Sequence, residues 1–257
     1  MLGKLLKYDL KWVYKLIVIY YGLALVFALI GRGFGLIENS FIFDFIGKFS
    51  CGVSVAMIFN ILINNVIRIW VRYINNVYKD ESYLTHTLPV TKSEIYLSKI
   101  LTTLITMFTS IVVVLISLVI CYWSDNLIDF IKMIYPGISW SIIILTGIVL
   151  VLELLFLVFL GLLAITIGYR SNHKKIVKSF ACGFAIYMGL SFVSLGILFI
   201  VGLFNKNILD LFTSMNPIVS MDILKWVLGV AAIVYLVYII LCNIICNKLL
   251  CKGVNVD

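Results

Sequence analysis

Two long apolar runs are separated by the polar stretch 80–99, which reads DESYLTHTLPVTKSEIYLSK. Thr91 and Glu94 form an S/T-x-x-E capping box, which predicts a helix that starts directly after Thr91. Pro89 disfavours helical geometry at the residue before it, and Ser82 can cap a short helix that ends ahead of the proline. The stretch therefore predicts a short helix, a rigid break and a second helix that continues into the next apolar run. Such a stiff segment is suited to transmit force, whereas a simple tether would be rich in Gly or Ser.

The composition places the chain among membrane proteins. Of its 257 residues, 63% are hydrophobic and 12% are charged, with a mean hydropathy of +1.15, whereas globular domains average about half apolar and about a quarter charged. Several apolar runs reach the roughly 20 residues that a helix needs to cross a bilayer. We therefore expect an all-α polytopic membrane protein, with one transmembrane domain over residues 1–257. Its six predicted spans are Leu16–Gly31, Phe49–Trp70, Ile100–Tyr122, Trp140–Ile167, Phe180–Phe204 and Trp226–Cys246.

The first fifteen residues, MLGKLLKYDLKWVYK, alternate leucine and lysine at helical spacing. This pattern predicts an amphipathic helix that lies in the membrane interface ahead of the first span. The alternative is a basic flank that only fixes topology, and the two interpretations are compatible. The run Gly31-Arg-Gly-Phe-Gly35 is expected to break the first span.

The distribution of basic residues predicts the orientation of the chain. Fifteen of the twenty Lys and Arg residues fall on the side that holds both termini and the stretch 80–99. By the positive-inside rule that side is cytoplasmic. The net charge of +8 therefore indicates topology and contacts with lipid headgroups, and no nucleic-acid partner is expected.

Three polar side chains within the predicted spans are candidate contacts for a polar substrate. Asn60 and Asn64 share one face of the second span, where amide groups need hydrogen-bond partners; the alternative is that they join neighbouring helices. Glu153 is the one clear carboxylate deep in an apolar run, and an ionisable residue there is costly enough to indicate a functional site. Its roles could be a substrate contact or a proton-linked site. The alternative is a protonated Glu153 hydrogen-bonded to a neighbouring helix.

Catalytic motifs are absent from the sequence. It contains no G-x-x-x-x-G-K-[ST] phosphate-binding loop, no H-E-x-x-H and no G-x-S-x-G. The two histidines, His86 and His173, fall in predicted cytoplasmic loops, and the six cysteines lack the spacing of a zinc site. No metal and no catalytic residue is therefore expected in this chain, and a membrane enzyme is the weaker class.

The segment 83–99, YLTHTLPVTKSEIYLSK, resembles the first cytoplasmic loop of ABC exporter permeases of the second type, which includes drug, peptide and polysaccharide exporters. The family pattern is Leu-Pro-Val/Ile, a Ser or Thr, a basic residue, and an aliphatic stretch that leads to Ser-Lys. It is matched by Leu88, Pro89, Val90, Thr91, Lys92, Ser98 and Lys99. The six-span layout, the basic N-terminus and the long last outer connection with Asn216-Pro217 are also typical of the family. The layout covers the whole chain, and the motif covers about twenty residues.

The resemblance implies a half-transporter in the bacterial cell membrane, with both termini in the cytoplasm. Two such permeases, identical or homologous, would pair above two ATPase subunits that bind ATP and Mg²⁺, so this chain would hold no cofactor itself. Residues 1–15 would form an elbow at the ATPase, and the loop would couple ATPase closure to the spans. The implied coupling interface consists of Tyr83, Leu84, Thr85, His86, Leu88 and Pro89, with Thr91 and Glu94 holding its geometry.

The family also implies a substrate path, because its second and fifth spans tend to line that path, which favours Asn60 and Asn64. The short chain fits systems that export antimicrobial peptides or confer immunity to them, so the expected substrate is an amphipathic or antimicrobial peptide, or a drug. Two other classes remain. One is a non-transporting membrane partner, sensor or immunity protein, and the other is an intramembrane enzyme that uses Glu153 with a second acid or a histidine.

Overall fold

The computed structural model describes residues 2–37, 41–122, 139–171, 173–204, 208–209 and 221–253. Its main elements in these ranges are the helices α1 (Leu2–Gly35), α2 (Phe41–Val77), α3 (Ser82–Thr87), α4 (Lys92–Tyr122), α5 (Trp140–Gly168), α6 (Lys175–Phe204) and α7 (Met221–Cys251). All of them except α3 are long and apolar enough to cross a membrane. The chain is therefore an all-α, multi-pass membrane protein, as its composition predicts.

Each of the six predicted spans lies within one long helix. The helices extend beyond the apolar runs; α2, for example, begins at Phe41 and ends at Val77, whereas the predicted span covers only Phe49–Trp70. Hydropathy marks the turns that fit the hydrocarbon core and misses the turns that continue outside it. The predicted connection at 123–138 and the one that contains Asn216-Pro217 lie outside the described residues.

The amphipathic N-terminal segment and the first span form one continuous helix. Helix α1 runs from Leu2 to Gly35, so the structure has one helix where the sequence predicts two. Asp9, Val13 and Ile17 are buried along one side of it. The opposite side exposes the lysines at positions 4, 7, 11 and 15, which agrees with the predicted amphipathic pattern.

The expected break at Gly31-Arg-Gly-Phe-Gly35 does not begin at Gly31, because α1 stays helical as far as Gly35, where it ends, and Gly31 packs against α2. A Cβ atom on Gly31 would lie 2.5 Å from Cys51 Sγ and 3.1 Å from the backbone oxygen of Gly47. A Cβ atom on Gly47 would lie 3.0 Å from the backbone nitrogen of Gly35. Small residues at such positions let two helices approach this closely within a membrane, and α1 continues past Gly31 and ends at Gly35.

Helices α1 to α4 form the first of two compact units. Helix α1 packs against both α2 and α4, and α2 also contacts α4 and α3. The predicted coupling stretch and the N-terminal helix therefore belong to the same unit, and this places the polar residues of both within reach of each other.

Helices α5 to α7 form the second compact unit. Helix α5 is its centre, because it packs against both α6 and α7. At the end of α5, a Cβ atom on Gly168 would lie 2.5 Å from the backbone nitrogen of Ser179 in α6. On its other side, Thr166 Oγ1 lies 3.2 Å from Cys246 Sγ in α7. Both contacts depend on small side chains.

Candidate functional site

The capping box between α3 and α4 forms as predicted. The backbone N–H of Thr91 donates to Glu94 Oε2 at 2.9 Å, and the backbone N–H of Glu94 donates to Thr91 Oγ1 at 3.2 Å. These bonds from Thr91 lower the pKa of Glu94, which precedes the predicted span at Ile100. Leu88 is extended, with φ −65° and ψ 141°, as expected for the residue before Pro89. The helix–break–helix geometry of the stretch 80–99 is therefore confirmed.

Helix α3 has an exposed side and an anchored side. The side chains of Tyr83 and Leu84 are 71% and 72% exposed, and Leu88 continues this surface. Thr85 is buried and donates its hydroxyl to the backbone carbonyl ahead of the helix at 3.0 Å. His86 Nε2 lies 3.1 Å from a backbone carbonyl at the end of α2. The structure thus places Thr85 and His86 on the anchored side and not on the exposed surface.

The predicted cap at Ser82 does not form. Ser82 is the first residue within α3, the N-cap position is Glu81, and no side chain caps the helix. The Ser82 hydroxyl is buried and has no hydrogen-bond partner in the described part of the chain. The start of α3 is fixed instead by a tertiary contact, since the Glu81 carboxylate pairs with the guanidinium of Arg72 in α2.

That contact belongs to an ion cluster formed by Asp9, Arg72, Glu81, Ser98 and Lys99. Asp9 Oδ1 accepts from Arg72 Nε at 2.8 Å, and Asp9 Oδ2 accepts from Ser98 Oγ at 2.9 Å and from Lys99 Nζ at 2.7 Å. Arg72 Nη1 donates to both carboxylate oxygens of Glu81, at 2.7 and 2.6 Å. The cluster therefore joins α1, α2, α4 and the turn before α3.

The centre of the ion cluster is deeply buried, and its charges balance. The side chains of Asp9 and Lys99 are only 2% and 4% exposed, and two carboxylates face two cations. A buried ion pair is tolerated only when its charges are matched and its hydrogen bonds are satisfied. Asp9 meets this condition, because three donors from two other helices surround its carboxylate.

The ion cluster was not predicted from the sequence, where Arg72 counts only as a topology signal and Lys99 counts as a topology signal and as part of the loop motif. One signal was present. Asp9 is the only acidic residue before Glu38, and it lies four residues before Val13 on the apolar side of the N-terminal helix. An acid on an apolar helix face needs a buried partner, although the sequence does not say which one.

A second arginine extends this interface between α1 and α2. Arg68 Nη2 donates to the backbone oxygen of Trp12 at 2.8 Å, and its guanidinium carbon lies 4.5 Å from the centroid of the Trp12 ring. This distance falls within the range of cation–π attraction. Two successive turns of α2 thus bind the N-terminal part of α1 through arginine.

The asparagines of α2 have different environments. Asn60 and Asn64 each donate only to the carbonyl four residues earlier in their own helix, at 3.0 Å. Neither therefore joins neighbouring helices in the described structure, and Asn60 is exposed. The amide that does join helices is Asn65, whose Nδ2 donates to Ser110 Oγ at 2.7 Å and to the backbone oxygen of Thr106 at 3.0 Å in α4.

Glu153 lies in the second unit, half-buried near the middle of α5. The hydroxyl of Tyr235 in α7 is close enough to interact electrostatically with this carboxylate. One turn further along α5, the ring of Phe156 is surrounded by three tyrosine rings, with centroids 5.7 Å away for Tyr235, 5.6 Å for Tyr238 and 6.5 Å for Tyr187. We call Glu153 and these four rings the aromatic cluster.

The described residues hold no group of three or more His, Cys, Asp or Glu side chains that could bind a metal ion. The polar groups of the described residues therefore form a buried ion cluster in the first unit and a carboxylate beside aromatic rings in the second. Comparison of the chain with protein-family models, with curated proteins and with solved structures gives no match.

Proposed function

We propose that the chain is the membrane-spanning permease subunit of an ABC exporter. In this proposal a separate ATPase subunit binds ATP and Mg²⁺ and performs the hydrolysis. Two permease chains, identical or homologous, form the path for an amphipathic peptide or a drug. The proposal combines the loop motif and its helix–break–helix geometry with the way α3 is held.

The observation that carries the proposal is a short helix with a firm anchor and an apolar exposed side. Tyr83 and Leu84 are exposed in a loop otherwise rich in polar residues. Exposed apolar side chains that are grouped together mark protein–protein contacts. Since His86 contacts the end of α2 and Glu81 pairs with Arg72 of the same helix, a partner that moves Tyr83 and Leu84 would move the whole of α3.

The ion cluster gives that movement a route into the membrane helices. Glu81 precedes α3 directly and is paired with Arg72 of α2. Arg72 shares Asp9 with Lys99 of α4. A displacement of α3 is therefore resisted by three long helices at once, which is the arrangement that a coupling element requires.

Orientation follows from the positive-inside rule. In a bacterial cell membrane it places both termini and α3 in the cytoplasm, where an ATPase could reach them. Asn60, Asn64 and Glu153 remain the candidate contacts along the substrate path, and Asn60 supports that role by its exposure and its lack of bonds to another helix.

The proposal is tested by photo-cross-linking from α3 in native membranes. A photoreactive phenylalanine analogue placed at Leu84 should cross-link to a protein that contains a phosphate-binding loop and hydrolyses ATP. The same analogue at Phe41, an exposed position at the end of α2 that lies away from α3, serves as the matched control. The complex should lose its ATPase subunit when Tyr83 and Leu84 are both replaced by Ala.

The accessibility of position 84 to a thiol reagent tests on which side of the membrane α3 lies. A Leu84→Cys variant should react with a membrane-impermeant thiol reagent only in inverted vesicles, where the cytoplasmic face is outside. Reaction in intact cells instead would place α3 on the wrong side for any ATPase. ATP hydrolysis by the purified chain alone would also contradict the proposed division of labour.

A further inference from the structure

We propose that the aromatic cluster is a binding site for a lipophilic organic monocation. It lies within one compact unit and is built from three helices, with Glu153 on α5, Tyr187 on α6 and Tyr235 on α7. The juxtaposition that carries the proposal is a single intramembrane carboxylate beside electron-rich rings that are still accessible.

The carboxylate is only partly satisfied. The hydroxyl of Tyr235 interacts with Glu153, and a carboxylate offers about four acceptor positions. Among the described residues, no lysine or arginine lies within salt-bridge distance of Glu153. A carboxylate at membrane depth is costly unless a proton or another cation compensates its charge, and the described helices place no basic side chain beside it.

The surrounding rings favour an organic cation as the compensating group. Cations are attracted to the faces of aromatic rings within about 6 Å of the centroid, and quaternary ammonium groups are recognised by such cages. Phe156 is buried at the centre and orients the rings around it. Tyr187 is 40% exposed and Tyr235 is half-buried, so both present surface to a ligand.

One wall of the aromatic cluster is held rigid. Tyr238 is buried, its hydroxyl lies 3.1 Å from Ser194 Oγ, and it donates to the backbone oxygen of Leu190 at 3.1 Å. Both partners belong to α6, so this tyrosine fixes α7 against α6. The rings of Tyr187 and Tyr235 are therefore presented from a fixed frame, which lowers the ordering cost of binding.

An inorganic cation fits this site less well. Ca²⁺ takes six to eight oxygen ligands and Mg²⁺ takes six, usually several of them carboxylates or waters. The aromatic cluster offers one carboxylate and tyrosine hydroxyls, and no cluster of acidic residues accompanies it in the described ranges. A cation that carries its own apolar groups would instead gain from the rings and from the apolar helices around them.

Binding of this cation does not depend on the proposed permease function, but its export would rest on that function. The site is therefore tested on the purified full-length chain in nanodiscs without any ATPase. The probe is radiolabelled tetraphenylphosphonium, and the matched ligand control is tetraphenylborate, which has nearly the same size and shape and the opposite charge. We expect saturable binding of the cation and no binding of the anion that depends on Glu153.

Substitutions separate charge from packing. Glu153→Gln should weaken binding of tetraphenylphosphonium by at least about tenfold, and Glu153→Asp should retain most of it because the charge remains. Tyr187→Leu should weaken binding by roughly three- to tenfold, and Tyr187→Phe should leave it unchanged because the ring is kept. Circular dichroism and thermal melting of each variant check that the fold is intact.

Three results would overturn the assignment. They are equal affinity of tetraphenylphosphonium for the parent chain and the folded Glu153→Gln variant, equal binding of the anion, and displacement of the bound cation by millimolar Na⁺ alone. The first would show a neutral, structural Glu153. Each result leaves the cross-linking test at Leu84 untouched, so failure of the cation site and failure of the permease proposal are distinguishable.

Discussion

Replacing Asp9 by Asn tests whether the ion cluster holds the first unit together. The substitution keeps the shape of the side chain and removes one negative charge. Arg72 would keep its pairing with Glu81 through two hydrogen bonds. Lys99 has no other anion at salt-bridge distance among the described residues, so its ammonium group would be left buried without a counter-charge.

The structure sets the expected magnitude. Breaking a buried ion pair by removing one partner typically costs about 3–5 kcal/mol, because the other charge stays buried and unpaired. Here Lys99 loses its counter-charge, Arg72 keeps Glu81, and the amide oxygen of Asn can still accept one hydrogen bond. We therefore expect a loss at the lower end, about 3 kcal/mol of the free energy of unfolding.

Reversible unfolding of the purified chain in mixed micelles, followed by circular dichroism during titration with a denaturing detergent, measures this loss. The matched control is Asp44→Asn, since Asp44 pairs with Lys48 at 2.7 Å on an exposed surface. Exposed pairs contribute about 0–1 kcal/mol. If both variants lose the same small amount, the ion cluster does not anchor the first unit.

A double variant separates the lost anion from the orphaned cation. Replacing Lys99 by Met in the Asp9→Asn background removes the unpaired charge and keeps a side chain of similar length. Buried ion pairs replaced on both sides by apolar groups are often neutral in stability, so we expect most of the loss to be recovered. A double variant less stable than either single variant would contradict the electrostatic explanation.

Three further predictions concern single positions. Asn65→Leu should cost about 1 kcal/mol, since it removes two hydrogen bonds from Asn65 to α4 within the membrane. The neighbouring control Asn64→Leu should cost almost nothing, and both are measured by detergent unfolding. Gly168→Ala should destabilise the second unit by about 1–3 kcal/mol, because its Cβ would meet the backbone of the facing helix. A Cβ on Gly147 would meet open space, so Gly147→Ala should be neutral or stabilising. Thermal melting of the purified chain measures both glycine variants. The lowered pKa of Glu94 means that its charged form stabilises the capping box fully above the ordinary pKa of about 4.3 and ceases to do so as the pH falls through the lowered value. The backbone N–H of Thr91 is hydrogen-bonded to the Glu94 carboxylate, and hydrogen exchange should show that its protection factor falls over this pH range. A Glu94→Gln variant should show no such pH dependence.

Features that depend on neighbouring residues were predictable from the sequence. The six spans follow from apolar length alone, because a helix satisfies its own backbone hydrogen bonds in lipid. The capping box follows from Thr91 and Glu94, because a spacing of three residues brings their groups together wherever a helix begins. These signals require no knowledge of what lies opposite the helix.

Features that depend on pairing between distant residues were not predictable. Asp9 and Lys99 are separated by 90 positions in the chain, and nothing local relates them. The asparagines of α2 show the same limit. Asn64 and Asn65 are adjacent and chemically identical, yet only Asn65 faces α4. In a helix that is apolar all round, hydropathy does not say which face meets a neighbour.

Buried polar groups have a specific role in a fold whose helices are apolar on every side. Lipid tails are as apolar as leucine, so apolar side chains alone give two membrane helices little preference for one register over another. Three contacts supply that preference in the first unit, namely the close approach of α1 and α2 at Gly31, the hydrogen bonds of Asn65 to α4, and the ion cluster around Asp9.

The ion cluster is the one that also includes the turn before α3. A charge network is weak evidence for stability, and its best-attested role is to specify a single arrangement. The position of α3 relative to the long helices therefore depends on the ion pair between Glu81 and Arg72, which Asp9 connects to α1 and α4.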